Sequence, residues 1–428
     1  MTAPLHDPST YLQGPPLVEL ARLRREQGVV RVPEPDGPGY WLVLRHDDVE
    51  QVLKQPATFS SAMRGTQVRD PETNTDLRYV QRMMLNMDPP EHSRIRRLVA
   101  KSFTPRAVAA LTDRIEGHAR ALVDAMLGDA DQGECDFAKD VAADLPLLTL
   151  AEVLGVPAQD RGLLFDWSNR VIGWQDEDYA TSSAFDAERG TDMAREALRL
   201  RPLPDSSGAM PDPRAREGMP DLYAYAHLLA ENKRANPGND IMSILLAQPD
   251  ETISVEEFEN LFWLFAVAGN ETLRNGIPGG MHALLTHPDQ QRALRADPSL
   301  LEPAVEEMLR WWTPVMVFRR TATSPVTLSG VDIAADEKVV VSFLSANRDE
   351  SVFTDPDRFD VRREPGKHLV FGHGPHFCLG AMVARTQMRA LFRELFARTS
   401  WLEPAGEPAF LRSNFQRGVK RLPVRWRR

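Results

Sequence analysis

The spacing of hydrophobic positions along the chain predicts a mainly helical protein with short strands near both ends. Apolar residues recur with the period of an amphipathic helix in five long segments, 98–126, 142–154, 222–232, 255–285 and 301–312. Shorter runs rich in β-branched and aromatic residues predict strands over 29–32, 40–44, 326–333 and 338–343. Helices and strands do not alternate regularly, so we predict an α+β fold with small peripheral sheets.

One stretch, residues 201–221, shows neither periodicity and holds five prolines and two glycines among few apolar residues. This composition is typical of a loop. Two interpretations stay open: a surface insertion, or a flexible lid that closes over a bound molecule. No linker, repeat or low-complexity tract divides the chain, so we predict a single domain over residues 1–428.

Charge and cysteine content narrow the class of protein. The net charge of −10 argues against nucleic acid as the main partner. Two cysteines exclude a disulfide scaffold and fit a reducing cytoplasm. Residues 1–16 are polar and proline-rich, without the apolar segment of a signal peptide or a membrane anchor. We therefore expect a cytoplasmic protein.

The segment from Phe371 to Gly380 holds Cys378 in a glycine-rich loop, and a helical pattern begins directly after it. Gly372 and Gly374 permit turn conformations that other residues resist. A cysteine at a helix N-terminus is favoured as a thiolate by the helix dipole. Four interpretations compete: a small buried residue, a zinc ligand, a catalytic thiol and a haem-iron ligand. No nearby cysteine or histidine cluster completes a tetrahedral zinc set, and no Cys-His-Asn order is evident.

The pattern Phe-x-x-Gly-x-x-x-Cys-x-Gly resembles the haem loop of the cytochrome P450 monooxygenases, soluble bacterial type, and the resemblance extends over nearly the whole chain. It implies the P450 fold, with haem b (iron protoporphyrin IX) between a long distal helix and the cysteine loop. Cys378 then supplies the axial thiolate to the iron. Phe371, Gly372 and Gly380 match the positions that shape the haem-binding loop.

Four further residues match contacts to the two haem propionates. His92 and Arg96 follow Pro89-Pro90 and are four residues apart, which puts both side chains on one helix face. A solvated basic face is the alternative for this pair, and the resemblance favours propionate binding. Arg320 and His376 match two further propionate contacts in the family. Arginine is well shaped for carboxylates, which suits this role.

Glu307 and Arg310 are three residues apart, among apolar and tryptophan neighbours that indicate a partly buried pair. Ordinary surface pairing is the alternative. Together with Arg358 they resemble the structural triad of the P450 family, which stabilises the fold and retains the haem.

The predicted helix over 255–285 carries an acid and an alcohol directly after an apolar run. Glu271 and Thr272 follow Ala268 and Gly269, and buried polar groups at this point require a reason. The helix either reaches the surface here or delivers protons to a reaction. The resemblance implies that Thr272 holds and protonates the oxygen-derived species, that Glu271 relays protons, and that Ala268 leaves room for oxygen.

The resemblance is strongest to bacterial oxidisers of sterols, branched lipids and terpenoids. It places several apolar residues at pocket-lining positions, which predicts a hydrophobic substrate, although plain core packing is the alternative for each. These residues are Val267, Ala268, Val315, Met316, Val317 and Phe415.

Electrons must come from a partner, because the chain has no flavin or nicotinamide motif and no cysteine set for an iron–sulfur cluster. The resemblance implies a ferredoxin and a ferredoxin reductase that draw on NAD(P)H, with O2 as co-substrate. We also expect a monomer, although the sequence itself does not give the oligomeric state. The ferredoxin would bind a basic surface formed by Arg94, Arg97, Lys101, Arg385, Arg389 and Arg393.

The sequence therefore predicts a monooxygenase of a sterol, terpenoid or lipid-like molecule. A hydroxylase of a polyketide, peptide or other natural-product scaffold is the alternative substrate class. A peroxygenase is disfavoured, because Glu271 and Thr272 would then be unnecessary. A haem-thiolate binding or sensor protein would need an output domain, for which no spare segment is evident.

Overall fold

The computed structural model describes residues 4–35, 37–172, 175–176, 185–206, 210–213, 215–247 and 253–428. The chain divides into two compact units. The first unit comprises Met1–Arg69, Val108–Leu145 and Thr272–Arg428, and the second comprises Asp70–Ala107 and Pro146–Glu271. The single-domain organisation stays a prediction.

The largest sheet lies in the first unit and has five strands. Their order across the sheet is Val29–Val32, Tyr40–Val43, Lys338–Ser342, Val317–Ala322 and Phe59–Ser60. Only the second and third strands in this order pair in parallel. Smaller sheets of the same unit contain Gln132–Asp136, Pro423–Arg427 and Trp401–Pro404; Ala409–Phe410 and Val419–Arg421; and Val326–Leu328 and Val331–Ile333.

Both faces of the five-stranded sheet are buried. Val29, Val43 and Val341 belong to one hydrophobic cluster. Leu42 and Val340, one residue along from these positions, belong to a second cluster. Successive side chains of a strand point to opposite faces, so these short runs of valine and leucine supply two cores at once.

The first unit also contains helices. Those that bear on the site are Leu301–Trp312, here called the triad helix, and Ala381–Arg398, called the cysteine helix. The others are Leu17–Glu26, His46–Lys54, Pro288–Ala296 and Phe343–Ala346. Helix Pro105–Leu127 and helix Val255–Thr286, called the distal helix, each contain residues of both units.

The described residues of the second unit form helices, turns and loops, and none of them lies in a strand. Its helices are Asn74–Val80, Glu91–Ala100, Asp144–Leu154, Arg161–Ile172, Asp192–Leu198, Pro220–Ala235 and Ile241–Leu246, of which the third begins in the first unit. Trp167, Tyr225 and Phe262 pack together with ring centroids 5.3–6.0 Å apart. The Trp167 indole donates a hydrogen bond to Asp221 Oδ2 at 3.0 Å. An aromatic core therefore ties helix Arg161–Ile172 to helix Pro220–Ala235 and the first part of the distal helix.

The α+β prediction is confirmed, and most predicted elements lie within a few residues of the observed ones. The predicted helix over 98–126 is wrong as a single element. Helix Glu91–Ala100 ends before a 3-10 turn, Lys101–Phe103, and a new helix begins at Pro105. Proline at a first helical position starts a helix more readily than it continues one.

The predicted lid, 201–221, is described in part, because residues 207–209 and 214 lie outside the described residues. Arg201 pairs with Asp166 at 2.8 Å. Arg216 pairs with Glu259 at 3.1 Å, and its guanidinium lies over the ring of Tyr223. These contacts anchor both ends of the segment, and its role as a lid stays a prediction. Among the helices of the described chain, none has the length and apolar character to span a membrane.

Candidate functional site

The cysteine loop is a hydrogen-bonded turn that holds Cys378 at its end. The Cys378 N–H donates to the Phe371 carbonyl at 2.9 Å, and Phe377 N–H donates to the Gly374 carbonyl at 3.1 Å. Gly372 and Gly374 have φ of 69° and 68°, in the left-handed region. A side chain at Gly374 would also come within 2.5 Å of the Leu53 carbonyl oxygen. Glycine is required at that position for both reasons.

This turn presents the Cys378 side chain at the surface of the first unit. Cys378 is exposed, and Gly380 caps the N-terminus of the 18-residue cysteine helix. The other cysteine, Cys135, is half-buried in strand Gln132–Asp136, where burial raises the pKa of its thiol to about 12. Of the two cysteines, Cys378 is therefore the one whose exposure and position at a helix N-terminus suit a thiolate ligand.

The donor set around Cys378 suits haem better than a small metal ion. In the described part of the chain, no group of three or more His, Cys, Asp or Glu side chains is arranged to hold a metal. Haem would need only one thiolate from the protein, because the porphyrin itself supplies nitrogen donors to the iron. The exposed thiol of Cys378 and the turn that fixes it fit that requirement.

The four predicted propionate ligands lie two in each unit. In the first unit, Arg320 is 3% exposed and donates from Nη1 to the Arg319 carbonyl at 2.8 Å. His376 Nε2 lies 3.4 Å from Ser61 Oγ. In the second unit, His92 is buried and Arg96 is half-buried on helix Glu91–Ala100. A buried guanidinium is costly without strong acceptors, and carboxylates such as haem propionates are acceptors of that kind.

The distal helix has an unusual pattern of exposure. Between Phe258 and Leu285 only Ala268 and Gly269 are exposed. The exposed Ala268, on a helix whose neighbouring positions apart from Gly269 are buried or half-buried, indicates an adjoining space of the kind that a bound group would need. A side chain at Gly269 would instead meet Leu150 at 2.9 Å. Glu271 is fully buried and Thr272 is half-buried shortly after these two residues. The interpretation that the helix simply reaches the surface here is therefore wrong for Glu271.

Two polar side chains that the sequence analysis did not single out adjoin this region in the second unit. Asn270 is 0% exposed and donates from Nδ2 to Ser168 Oγ at 3.4 Å. Ser168 Oγ in turn donates to the Ala266 carbonyl at 2.9 Å. Ser168 lies about one hundred positions before Asn270 in the chain, and no motif or spacing in the sequence identifies it as a partner of the distal helix. The pair ties the distal helix to helix Arg161–Ile172.

Glu307 and Arg310 form a buried, bidentate ion pair on the triad helix. Arg310 Nε and Nη2 donate to the two Glu307 oxygens at 2.6 and 2.8 Å. Its Nη1 donates to the carbonyls of Asn347 and Pro356 at 2.8 and 2.9 Å. The pair therefore holds the segment that precedes the cysteine loop.

The third predicted member of this set, Arg358, requires a correction. Its side chain is 64% exposed and its nearest acid is Asp360 at 3.7 Å, so only its backbone carbonyl contacts Arg310. Arg363 takes the place instead, with Nε 3.1 Å from Glu307 Oε2 and a side chain only 14% exposed. Arg363 also donates to the carbonyls of Thr354, Asp355 and Arg358 at 2.6–3.0 Å. The motif led to the wrong arginine because local spacing does not reveal which side chain turns inward.

The predicted pocket residues differ in their surroundings. In the first unit Val315, Val317 and Phe415 are partly exposed, and the Phe415 ring contacts Phe318 with centroids 5.7 Å apart. Met316 is 1% exposed and belongs to a core cluster, so its observed contacts are packing contacts. Val267 of the second unit is 6% exposed. The pocket role of all these residues stays a prediction.

The arginines assigned to a basic docking surface carry acidic partners. Arg385 pairs with Glu306 at 2.6 Å, Arg389 with Glu302 at 2.7 Å and Arg393 with Glu116 at 2.9 Å. Arg94 pairs with both Glu91 and Glu257. The surface charge at these four arginines is therefore lower than a count of basic residues suggests.

Comparisons with known proteins agree with this geometry. A family model described as cytochrome P450 matches residues 227–423. The steroid C26-monooxygenase of Mycolicibacterium smegmatis is 36% identical over 98% of this chain and 92% of its own length. The cytochrome P450 monooxygenase PikC of Streptomyces venezuelae is 37% identical over 96% of this chain and 91% of its own. The crystal structure of CYP108D1 from Novosphingobium aromaticivorans matches with a TM-score of 0.83 and 30% identity, and covers 99% of this chain and 97% of that one.

Proposed function

The chain belongs to the cytochrome P450 family and is a monooxygenase, and we propose that it inserts one oxygen atom from O2 into a hydrophobic small molecule of the sterol, terpenoid or lipid-like class. The observation that carries the site assignment is Cys378, exposed at the N-terminus of the cysteine helix on a turn that glycines make possible. The exposed Ala268 on the distal helix supports the same assignment.

When bound, haem b supplies the iron at which O2 is activated. We assign Cys378 as its axial ligand and His92, Arg96, Arg320 and His376 as the residues that bind its two propionates. The dipole of the cysteine helix and the hydrogen bond from the Cys378 N–H to Phe371 favour a fixed thiolate. Glu307, Arg310 and Arg363 hold the chain that leads into this loop.

Thr272 and Glu271 are the proposed proton-delivery residues. The Thr272 hydroxyl would act as a hydrogen-bond donor to the oxygen substrate, and the Glu271 carboxyl group would pass protons toward that hydroxyl through water. Glu271 is fully buried, so any proton that it passes is shielded from bulk solvent. Asn270 and Ser168 fix the helix at this point, which keeps both side chains in register.

The substrate class rests on two kinds of support. Val267, Val315, Val317 and Phe415 are apolar side chains that offer few polar anchors. A relative that covers nearly the whole chain bears the name steroid C26-monooxygenase. A second candidate class, a natural-product scaffold of the polyketide or peptide type, is favoured by the similar identity to PikC, a P450 monooxygenase of Streptomyces venezuelae.

Titration of the ferric protein with sterols, terpenoids, fatty acids and macrolides, followed in the Soret region, separates these classes. We expect a low-to-high-spin shift with a sterol or terpenoid, because a bound apolar molecule displaces water from the iron. A shift with macrolides alone would transfer the proposal to the natural-product class. Product analysis by mass spectrometry then checks for the gain of one oxygen atom.

We further propose that electrons reach the enzyme from NAD(P)H through a ferredoxin reductase and a ferredoxin, and that the enzyme is a cytoplasmic monomer. Because Arg94, Arg385, Arg389 and Arg393 have acidic partners, we expect only a moderate fall in reduction rate between low and physiological salt. Stopped-flow reduction at several ionic strengths measures this, and a rate independent of salt would contradict electrostatic docking.

A further inference from the structure

Arg385 of the cysteine helix contacts an aromatic ring of the cysteine loop in addition to its ion pair. Its guanidinium lies over the ring of Phe371, with Cζ 4.4 Å from the ring centroid. The Arg385 side chain is 27% exposed, and Phe371 is 9% exposed. The guanidinium therefore covers one face of the ring, at a distance that allows a cation–π interaction.

Glu306 of the triad helix fixes the orientation of that guanidinium. Arg385 Nε and Nη2 donate to the two Glu306 oxygens at 2.6 and 2.8 Å. His368 Nε2 lies 2.9 Å from Glu306 Oε2, and its side chain is only 4% exposed. A bidentate pair leaves the planar guanidinium little freedom to rotate. Glu306 thus keeps the Arg385 guanidinium oriented over the Phe371 ring, and the contact with His368 fixes Glu306 in turn.

His368 completes the enclosure of Phe371. Its ring centroid lies 5.9 Å from that of Phe371, so Phe371 is contacted by both His368 and Arg385. The backbone carbonyl of Phe371 is the acceptor for the Cys378 N–H at 2.9 Å. Movement of Phe371 would therefore alter the hydrogen bond that fixes the thiolate.

We propose that Arg385, held by Glu306 and His368, is a positioning residue that fixes Phe371, whose carbonyl accepts the hydrogen bond from the Cys378 N–H, and so keeps Cys378 in place as the thiolate ligand. The inference rests on the proposed role of Cys378. It gives Arg385 a function inside the protein in addition to the docking role that the sequence predicts. Lysine cannot replace arginine here, because an ammonium group cannot bind a carboxylate in bidentate fashion and stack on a ring at once.

The test compares Arg385→Gln and Arg385→Lys with Arg389→Gln. Arg389 lies one turn further along the same helix and also pairs with a glutamate, because its Nη1 donates to both Glu302 oxygens at 2.8 and 2.7 Å. It is therefore a control for the loss of one arginine and one ion pair. The readout is the ferrous–CO absorption band, whose position distinguishes a thiolate ligand from a neutral thiol, followed over time in mild urea.

Arg385→Gln and Arg385→Lys should both lose thiolate ligation about tenfold faster than the wild type, the size of effect that a partly desolvated cation–π contact supplies. Arg389→Gln should lose thiolate ligation at the wild-type rate. Equal rates in all four proteins would overturn the inference, as would a loss confined to Arg385→Gln, which would indicate a charge effect alone. Circular dichroism at each time point establishes that the variants stay folded while ligation changes.

The same experiment separates this inference from the proposed function. A wild-type protein without a thiolate-type band would overturn the assignment of Cys378, and the inference with it. A normal wild-type band together with an unaffected Arg385→Gln variant would overturn the inference alone.

Discussion

Replacement of Arg363 by glutamine tests the corrected triad, with Arg358→Gln as its control. The two arginines are five residues apart and lie in the same segment, but only Arg363 reaches Glu307, at 3.1 Å. Arg358 is 64% exposed, and its side chain contacts Asp360 at 3.7 Å. A simple loss of positive charge near the triad is therefore the same in both variants, and only the buried contact differs.

The magnitude follows from the contacts that each variant loses. Removal of one partner from a buried ion pair costs about 3–5 kcal/mol. Glu307 keeps Arg310 as a partner, so we expect Arg363→Gln to destabilise the protein by about 2–3 kcal/mol. An exposed pair contributes about 0–1 kcal/mol, so Arg358→Gln should change little. For a chain of 428 residues, an unfolding entropy of about 2 cal/mol/K per residue converts 2–3 kcal/mol into a midpoint shift of about 2–3 °C.

Thermal unfolding of the haem-loaded proteins at a fixed scan rate gives the midpoints, and the Soret band gives the rate of haem loss at a constant temperature. A fixed scan rate is needed because large proteins often unfold irreversibly. We expect a lower midpoint and faster haem loss for Arg363→Gln only. Equal midpoints for the two variants, or a larger effect for Arg358→Gln, would refute the assignment of Arg363 to the triad.

Three further predictions follow from the site. Although burial opposes the shift, hydrogen bonds from His368 and Arg385 lower the pKa of Glu306 from its usual 4.5 to about 2. The ionised carboxylate therefore stabilises the fold by up to about 3 kcal/mol above pH 4.5, and this contribution is lost as the pH falls toward 2. In urea titrations, the stability difference between wild type and Glu306→Gln should shrink over that pH range, and a constant difference would contradict the prediction. Gly374→Ala should lower haem retention several-fold, because a side chain there meets a backbone carbonyl at 2.5 Å and φ is 68°; a normal Soret yield after purification would show that the loop relaxes. Thr272→Ala should release more peroxide and less product per NADPH consumed, while Thr272→Ser should retain coupling; unchanged stoichiometry in the alanine variant would remove Thr272 from proton delivery.

The elements that the sequence predicted well are those with long, regular periodicity. The distal helix was expected over 255–285 and is observed as Val255–Thr286, and the triad helix has the predicted bounds. Strands such as Gln132–Asp136 and Pro423–Arg427 were not predicted, because each gains its partners from distant parts of the chain. The alternation in such short strands is too brief to distinguish them from loops.

The site shows the same division between local and long-range information. Cys378 and its glycines could be recognised because the loop chemistry lies within ten residues. The sequence could not favour Arg363 over Arg358, since the choice depends on which side chain turns toward Glu307. Glu307 lies 56 positions before Arg363 and 51 positions before Arg358. Ser168, which binds Asn270, carries no local signal at all.

The assignment of Cys378 is tested most directly by the ferrous–CO spectrum of Cys378→Ser, with Cys135→Ser as the matched control. Cys135 is the other cysteine of the chain and lies in a strand, so its replacement removes a thiol without touching the loop. We predict that the wild type and Cys135→Ser show the thiolate-type band and oxidise substrate, and that Cys378→Ser shows neither. A thiolate-type band that persists in Cys378→Ser, or one that disappears in Cys135→Ser, would contradict the assignment.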